Sequence, residues 1–191
     1  EFAGFSPSGE FRIVNRNGQV IPASSKIAED KKLMGNFTPK LMYGWSHTFK
    51  YRNFDASINM HGWCGFDVYN TYAMSLGIAG RNGECNVLKA AYDTFSHIKD
   101  EKLMSNYYLE DGSFLKIDAI TLGYLFPLRT HTKDFVESLR LYFTAGNLAT
   151  ITGYTGLDPE IDIVGYDGGI DNYQNAYPMT RTFTFGLQLK F

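Results

Sequence analysis

Apolar and polar side chains alternate along five stretches of this chain of 191 residues. The last stretch, residues 181–191, is the clearest. Phe183, Phe185, Leu187, Leu189 and Phe191 fall on one face of a strand, and Thr182, Thr184, Gly186, Gln188 and Lys190 on the other. Successive strand side chains point to opposite sides, so this segment has an apolar wall and a polar wall. Its length matches the roughly 9–11 residues that a tilted strand needs to cross a bilayer. The chain also stops on a large ring, with no polar tail after it.

The same period recurs upstream. In Leu41–Tyr51, Tyr43, Trp45, His47, Phe49 and Tyr51 share a face. Residues 54–63 alternate again, with Phe54, Ala56, Ile58 and Met60 opposite Asp55, Ser57, Asn59 and His61. The short link Arg52-Asn53 predicts a hairpin over 41–63. Residues 114–126 form a third strand whose phase slips at Ala119-Ile120; a bulge there returns the apolar residues to one side. Leu139, Leu141, Phe143 and Ala145 mark a fourth strand that ends near residue 147. Residues 114–147 thus hold two strands, and residues 181–191 the fifth.

The intervening segments read as loops. Residues 1–40 are irregular, with an Asn17-Gly18 turn between Phe11–Val14 and residues 19–21. Residues 64–113 form a long loop holding one predicted helix over 87–103. Asn86 is its N-cap, and Leu88, Ala91, Tyr92, Phe95 and Ile98 its apolar stripe. That stripe reads as loop core. Residues 148–180 form a second long loop rich in Gly, Asp, Asn and Tyr. Long loops alternate with short turns, an asymmetry of outer-membrane barrels whose long loops lie outside the cell. Five strands cannot close a barrel and would leave two edges unpaired in lipid, so further strands are expected upstream.

Composition adds limits. The net charge of −2 gives no basic field for nucleic acid. Aromatics reach 16%, and the 19 glycines suit many turns. No run of about 20 apolar residues exists for a membrane helix, which leaves a barrel open because its strands alternate. The first residues lack the basic start and apolar stretch of a signal peptide. Cys64 and Cys85 form no C-x-x-C pair and are a candidate disulfide.

Several stretches, in this order, resemble the SusC/RagA-like TonB-dependent transporters of the Bacteroidota outer membrane. They are Gly35-Asn36-Phe37-Thr38-Pro39-Lys40 leading into residues 43–51; Asn53-Phe54-Asp55-Ala56-Ser57; and Leu109-Glu110-Asp111-Gly112-Ser113-Phe114-Leu115-Lys116-Ile117. They continue with Ile120-Thr121-Leu122-Gly123-Tyr124; Leu139-Arg140-Leu141-Tyr142-Phe143 running to Gly146-Asn147-Leu148; and Gly156-Leu157-Asp158-Pro159-Glu160. The last is Tyr177-Pro178-Met179-Thr180-Arg181-Thr182-Phe183-Thr184-Phe185-Gly186-Leu187. The resemblance implies an all-β, antiparallel transmembrane β-barrel segment. It would be about five C-terminal strands of a roughly 22-stranded plugged barrel. It further implies TonB-dependent active import of oligosaccharides or oligopeptides. The implied partners are upstream strands and a plug of the same transporter, a SusD-like surface lipoprotein, TonB acting through the plug, and membrane lipid. The rival readings are a non-transporting adhesin or scaffold barrel and a soluble carbohydrate-binding β-sandwich.

Candidate chemistry is sparse. Glu110-Asp111-Gly112-Ser113 reads as a turn ordering the next strand. Asp158, Glu160, Asp162, Asp167 and Asp171 form an acidic stretch, but an EF-hand needs Gly where Ile163 stands. His47, His61, His97 and His131 show no metal-ligand spacing. No nucleophile signature, phosphate loop or dinucleotide fingerprint occurs, so neither catalysis nor a cofactor is expected. The candidate contacts to substrate or lid protein are Trp63, Tyr69, Tyr72, Tyr154, Tyr166 and Tyr173, rings flanking or lying in the long loops. Phe66, Tyr107, Tyr108 and Tyr177 belong to the same set of loop aromatics.

Overall fold

A computed structural model describes residues 1–81, 83, 85–100, 102–128, 136–172 and 177–191. The chain forms two compact units. One comprises Lys40–Cys64, Ser113–Thr152 and Pro178–Phe191, and the other Glu1–Pro39, Gly65–Gly112 and Gly153–Tyr177.

Five strands form the first unit: β4 (Leu41–Tyr51), β5 (Phe54–Cys64), β8 (Phe114–Pro127), β9 (Ser138–Thr152) and β11 (Thr182–Lys190). They make one antiparallel sheet in the order β11-β9-β8-β5-β4. The predicted hairpin is present with Arg52-Asn53 at its turn, where Arg52 takes a φ of 52°. Cross-strand partners share a face, so the register decides which side chains line each wall. Phe185 pairs with Phe143, Phe143 with Leu122, Leu122 with Ala56, and Ala56 with Phe49. One step along, Leu187, Leu141, Tyr124, Phe54 and Tyr51 form the next row. Between these rows, on the opposite face, Gly186, Tyr142, Gly123, Asp55 and Lys50 line up. Thr184, Thr144, Thr121, Ser57 and Thr48 form the neighbouring polar row. The alternation read in single strands therefore adds up to an apolar wall and a polar wall across all five.

The register corrects two boundaries. The bulge in β8 falls at Asp118, between Ile117 and Ala119, rather than at Ala119-Ile120. Asp118 is the extra residue, so Ile117 and Ile120 share the apolar side and Ala119 joins the polar one. The fourth strand does not end at residue 147 but runs to Thr152. In the sheet Asn147 takes a φ of 50° and absorbs the register shift opposite Asp118. Ala149 and Ile151 then resume pairing with Ile117 and Leu115.

The second unit holds the loops. β1 (Phe2–Phe5), β2 (Phe11–Val14) and β3 (Val20–Pro22) form a small antiparallel sheet, whose β2–β3 turn is at Asn17-Gly18. β6 (Asp67–Asn70) lies between β7 (Leu109–Asp111), antiparallel to it, and β10 (Ile170–Asp171), parallel to it. The core gathers Phe11, Ile13, Ala23, Ala73, Ile78, Ile98, Leu103 and Tyr108. Phe2, Phe5, Phe95 and Tyr107 pack against it.

The helix of this unit is not the predicted one. Helix α1 spans Thr71–Leu76, where the Asn70 side chain accepts a hydrogen bond from the Ala73 amide at 2.8 Å. Residues 87–100 instead make a 3-10 turn at Lys89–Ala91 and a run of turns over 92–97. Asp93, Thr94 and Ser96 explain the difference. The Ser96 hydroxyl donates to the Asp93 carbonyl at 2.7 Å, a local bond that competes with the helix ladder. Of the stripe, Ala91 and Ile98 are buried, Leu88 and Phe95 half-buried, and Tyr92 exposed. No helix among the described residues is long and apolar enough to cross a membrane, a statement that says nothing of strands.

Candidate functional site

The polar wall carries a charged step. Arg140, one row from Asp55 and two strands away, donates to both of its carboxylate oxygens, with Nε at 2.9 Å and Nη2 at 2.5 Å. The guanidinium also lies over the Tyr142 ring, 5.1 Å from its centroid. Gly123 makes room for this pair: a Cβ there would sit 2.6 Å from Asp55 and from Arg140 Nη2. A planar fork on a carboxylate fixes both side chains flat against the wall. Further along, His61 Nδ1 lies 2.8 Å from the carboxylate of Asp118, the bulge residue. Lys116, buried, lines with Asp118, Asn147, Thr150 and Arg181 a small cavity of about 240 Å³. The wall thus offers hydroxyls, a fixed ion pair and cations, surfaces that suit water and polar solutes.

The apolar wall is bare. Phe185 is 70% exposed and Leu187 62%, although both lie in a regular ladder. Side chains that size in water would cost on the order of 1.5–3 kcal/mol each relative to burial.

In the loop unit, polar groups tie the long loops together. Asn70 Nδ2 donates to Glu110 Oε1 at 2.7 Å and to Thr155 Oγ1 at 3.1 Å. The Thr155 amide donates to Glu110 Oε2 at 2.8 Å. Tyr154 donates to Asp171 Oδ2 at 2.6 Å, and the Thr71 hydroxyl donates to the Asp171 carbonyl. Burial pushes the Asp171 carboxyl above the usual carboxylate range, and burial with the adjacent Asp171 charge pushes the Tyr154 phenol well up. Glu110 therefore clamps two loops, a role beyond the turn expected of it.

The candidate contact rings separate into groups. Tyr154 is buried and its hydroxyl is committed to Asp171, so it is a packing residue and no ligand contact. Tyr69 is similarly spent: its hydroxyl accepts from the Ser105 amide at 3.1 Å and donates to Met74 Sδ at 3.4 Å. Trp63, in β5, packs at 5.5 Å from the Phe114 ring. Tyr72 is half-buried in α1, with its phenol pushed up by burial. Tyr166 is fully exposed. Tyr173 lies outside the described residues, as does His131. Of the remaining loop aromatics, Phe66 and Tyr108 are buried and Tyr177 is exposed. Cys64 and Cys85 are both thiols rather than a disulfide. In the acidic stretch, Asp158 accepts from the Glu160 amide and Asp162 from the Val164 amide, each closing its own turn. Among the described residues no three His, Cys, Asp or Glu side chains gather as metal ligands.

Sequence reasoning missed a groove of about 940 Å³ in the loop unit, lined by segments 26–37, 102–106 and 168–170. Nothing in a charged stretch such as Lys26–Lys32 signals that a cavity lies beside it.

No protein-family model matches the chain. Individual proteins do. The chain is 29% identical over 203 residues to TonB-dependent receptor P3 of Formosa agariphila, covering 97% of this chain and 19% of that protein. It is 32% identical over 190 residues to TonB-dependent receptor SusC of Bacteroides thetaiotaomicron, covering 95% of this chain and 18% of that one. Among solved structures, the RagAB peptide importer in its open-open state superposes with a TM-score of 0.72 at 21% identity, over 100% of this chain and 22% of that chain. The closed-closed state gives 0.70 at 22% identity, with the same coverage. The chain spans about a fifth of the length of the relatives it matches.

Proposed function

We infer, from a chain that belongs to the SusC/RagA-like TonB-dependent receptors, that it forms part of the barrel wall and outer loops of an outer-membrane importer. The observation that carries this is the two-faced sheet. An eleven-residue strand such as β4 spans about 37 Å at about 3.4 Å per residue. Tilted by about 45° it covers about 26 Å, the height of a barrel's apolar band. The exposed apolar rows then meet hydrocarbon, and the hydroxyl row and the Arg140–Asp55 pair line the interior.

In this reading the loop unit belongs to the outer face. A plug elsewhere in the polypeptide would be drawn on by TonB, and a SusD-like lipoprotein would cover the mouth. The cargo is an oligosaccharide or an oligopeptide; the RagAB peptide importer is the neighbour behind the second option. Phe191 would then lie at the periplasmic rim.

The test uses the complete receptor in cells. Accumulation of labelled oligopeptides and oligosaccharides is measured with and without a protonophore, and again with β11 deleted. The expected result is accumulation of one class that needs both the gradient and β11. Surface-displayed receptor with accumulation indifferent to the gradient would favour the scaffold reading and overturn this one.

A further inference from the structure

The five-stranded sheet has a notch beside β11. β11 pairs with β9 from Ser138 to Gly146, whereas β9 runs on to Thr152 paired with β8. Just past Gly146, Asn147 takes its left-handed φ of 50° and the β8 bulge at Asp118 lies opposite. The cavity of about 240 Å³ opens there, bounded by β8, β9 and the residues that lead into β11.

Side-chain donors from all three segments line it: Lys116, Asn147, Thr150 and Arg181. Lys116 of β8 is buried, with Nζ 5.5 Å from the centroid of the Phe114 ring. Thr150 of β9 is its register partner, so both side chains lie on the polar wall. Asn147 gives one amide hydrogen to the Thr180 carbonyl at 3.2 Å, which holds the neighbouring Arg181 beside the cavity and leaves the second amide hydrogen to a ligand. Arg181 is exposed, and among the described residues neither its guanidinium nor the Thr150 hydroxyl makes a hydrogen bond or ion pair.

Charge sets the sign of the occupant. Among the described residues Asp118 is the one carboxylate in the lining, and His61 Nδ1 already meets it at 2.8 Å. Two cations, Lys116 and Arg181, therefore border one engaged carboxylate. A buried ammonium is costly away from water and gains from an anion beside it. The Arg140–Asp55 pair shows what a carboxylate takes in this sheet: one guanidinium fork, flat against the wall, meets both oxygens. In the notch the donors come from three segments instead of one side chain, which suits a group with more than two oxygens.

We propose that this notch binds a tetrahedral oxyanion, phosphate or sulfate, as the free ion or esterified on a larger molecule. The Arg181 fork takes two oxygens, Lys116 supplies the second positive charge, and Thr150 and Asn147 donate to the oxygens that remain. The cavity has room for such an ion with a few waters, each of which occupies about 30 Å³. A monatomic anion would leave most of these donors idle. Binding here needs no transport, so the site is separable from the importer reading.

The test is equilibrium dialysis of radiolabelled inorganic phosphate against the complete, purified receptor in detergent, at fixed ionic strength. Saturable binding is expected, with sulfate competing and chloride and acetate failing to compete. Arg181→Gln changes an exposed side chain and should weaken binding about tenfold or more. Lys116→Met, at a buried position, should do the same in the folded fraction. Asp118→Asn removes the carboxylate from the lining and should tighten binding several-fold, a gain that misfolding cannot produce. Competition by glycerol 1-phosphate would assign the site to an esterified group, and phosphate binding without that competition would assign it to the free ion. No saturable binding, equal binding by the parent and Arg181→Gln receptors, or displacement by chloride or acetate would each overturn the inference.

Discussion

Tyr154 and Tyr108 are buried tyrosines of the same unit with opposite hydroxyl accounts. The Tyr154 hydroxyl satisfies Asp171, which is itself buried. Tyr154→Phe leaves that carboxylate short of a donor and should cost about 1–3 kcal/mol. The Tyr108 hydroxyl is buried with no partner in the described residues. Tyr108→Phe should therefore be neutral, or stabilising by up to about 1 kcal/mol. Hydrogen exchange of α1 and β10 amides in the complete receptor reads both. Asp171 also sets a pH dependence. Its folded pKa is raised, so its contribution is fully present below the free value near about 3.9 and is lost as pH rises through the folded value. Asp171→Asn removes that slope, and the gap between variant and parent should close as pH falls. Little of this was legible in the sequence. Tyr154 and Tyr69 sit in or beside long loops and read as ligand contacts. The burial of Tyr154 and the hydroxyl partners of both rings depend on Asp171 and Ser105, distant residues that no local pattern connects to them.

Strands were far more legible than helices, because a period of two survives any tertiary context that keeps one wall apolar. The phase slip in β8 was visible, yet it was placed late because Ala119 counts as apolar. Asp118, held by His61, is the residue that leaves the ladder. β9 was read only as far as the register shift at Asn147, beyond which Ala149 and Ile151 resume pairing. The stripe over 87–103 was read as a helix with one inward face; Ala91 and Ile98 are buried but Tyr92 is exposed, since Asp, Thr and Ser favour local bonds over a helix. At this scale the wall reading predicts a directional asymmetry in β11. Phe185→Arg places a cation in hydrocarbon at about 2–4 kcal/mol and should lower the folded fraction in heat-modifiable gel shifts. Thr184→Arg, on the polar wall, should be better tolerated; equal behaviour would count against the assignment. Gly123→Ala should part Arg140 from Asp55. The pair is partly exposed, so the cost should be about 1 kcal/mol, read in the same assay.

For the whole molecule, the open edges matter most. β4 and β11 each have one neighbour in the sheet. On the proposed barrel reading further strands would adjoin them, since unpaired strand edges are not stable in hydrocarbon; the chain covers about a fifth of its relatives. The family resemblance was legible because its motifs lie in the strands and turns that fix the sheet. The groove was not, because it arises from chain segments far apart in sequence. The central claim is that the Phe185–Phe143–Leu122 row meets lipid and the Thr184–Thr144–Thr121 row meets water. Its most direct test is to place single spin labels at these six positions in the complete receptor in bilayers. Collision with oxygen, which partitions into lipid, is then compared with collision with a water-soluble nickel chelate. The account predicts oxygen-dominated collision at Phe185, Phe143 and Leu122 and nickel-dominated collision at Thr184, Thr144 and Thr121. The reverse order, or no difference between the rows, would contradict it.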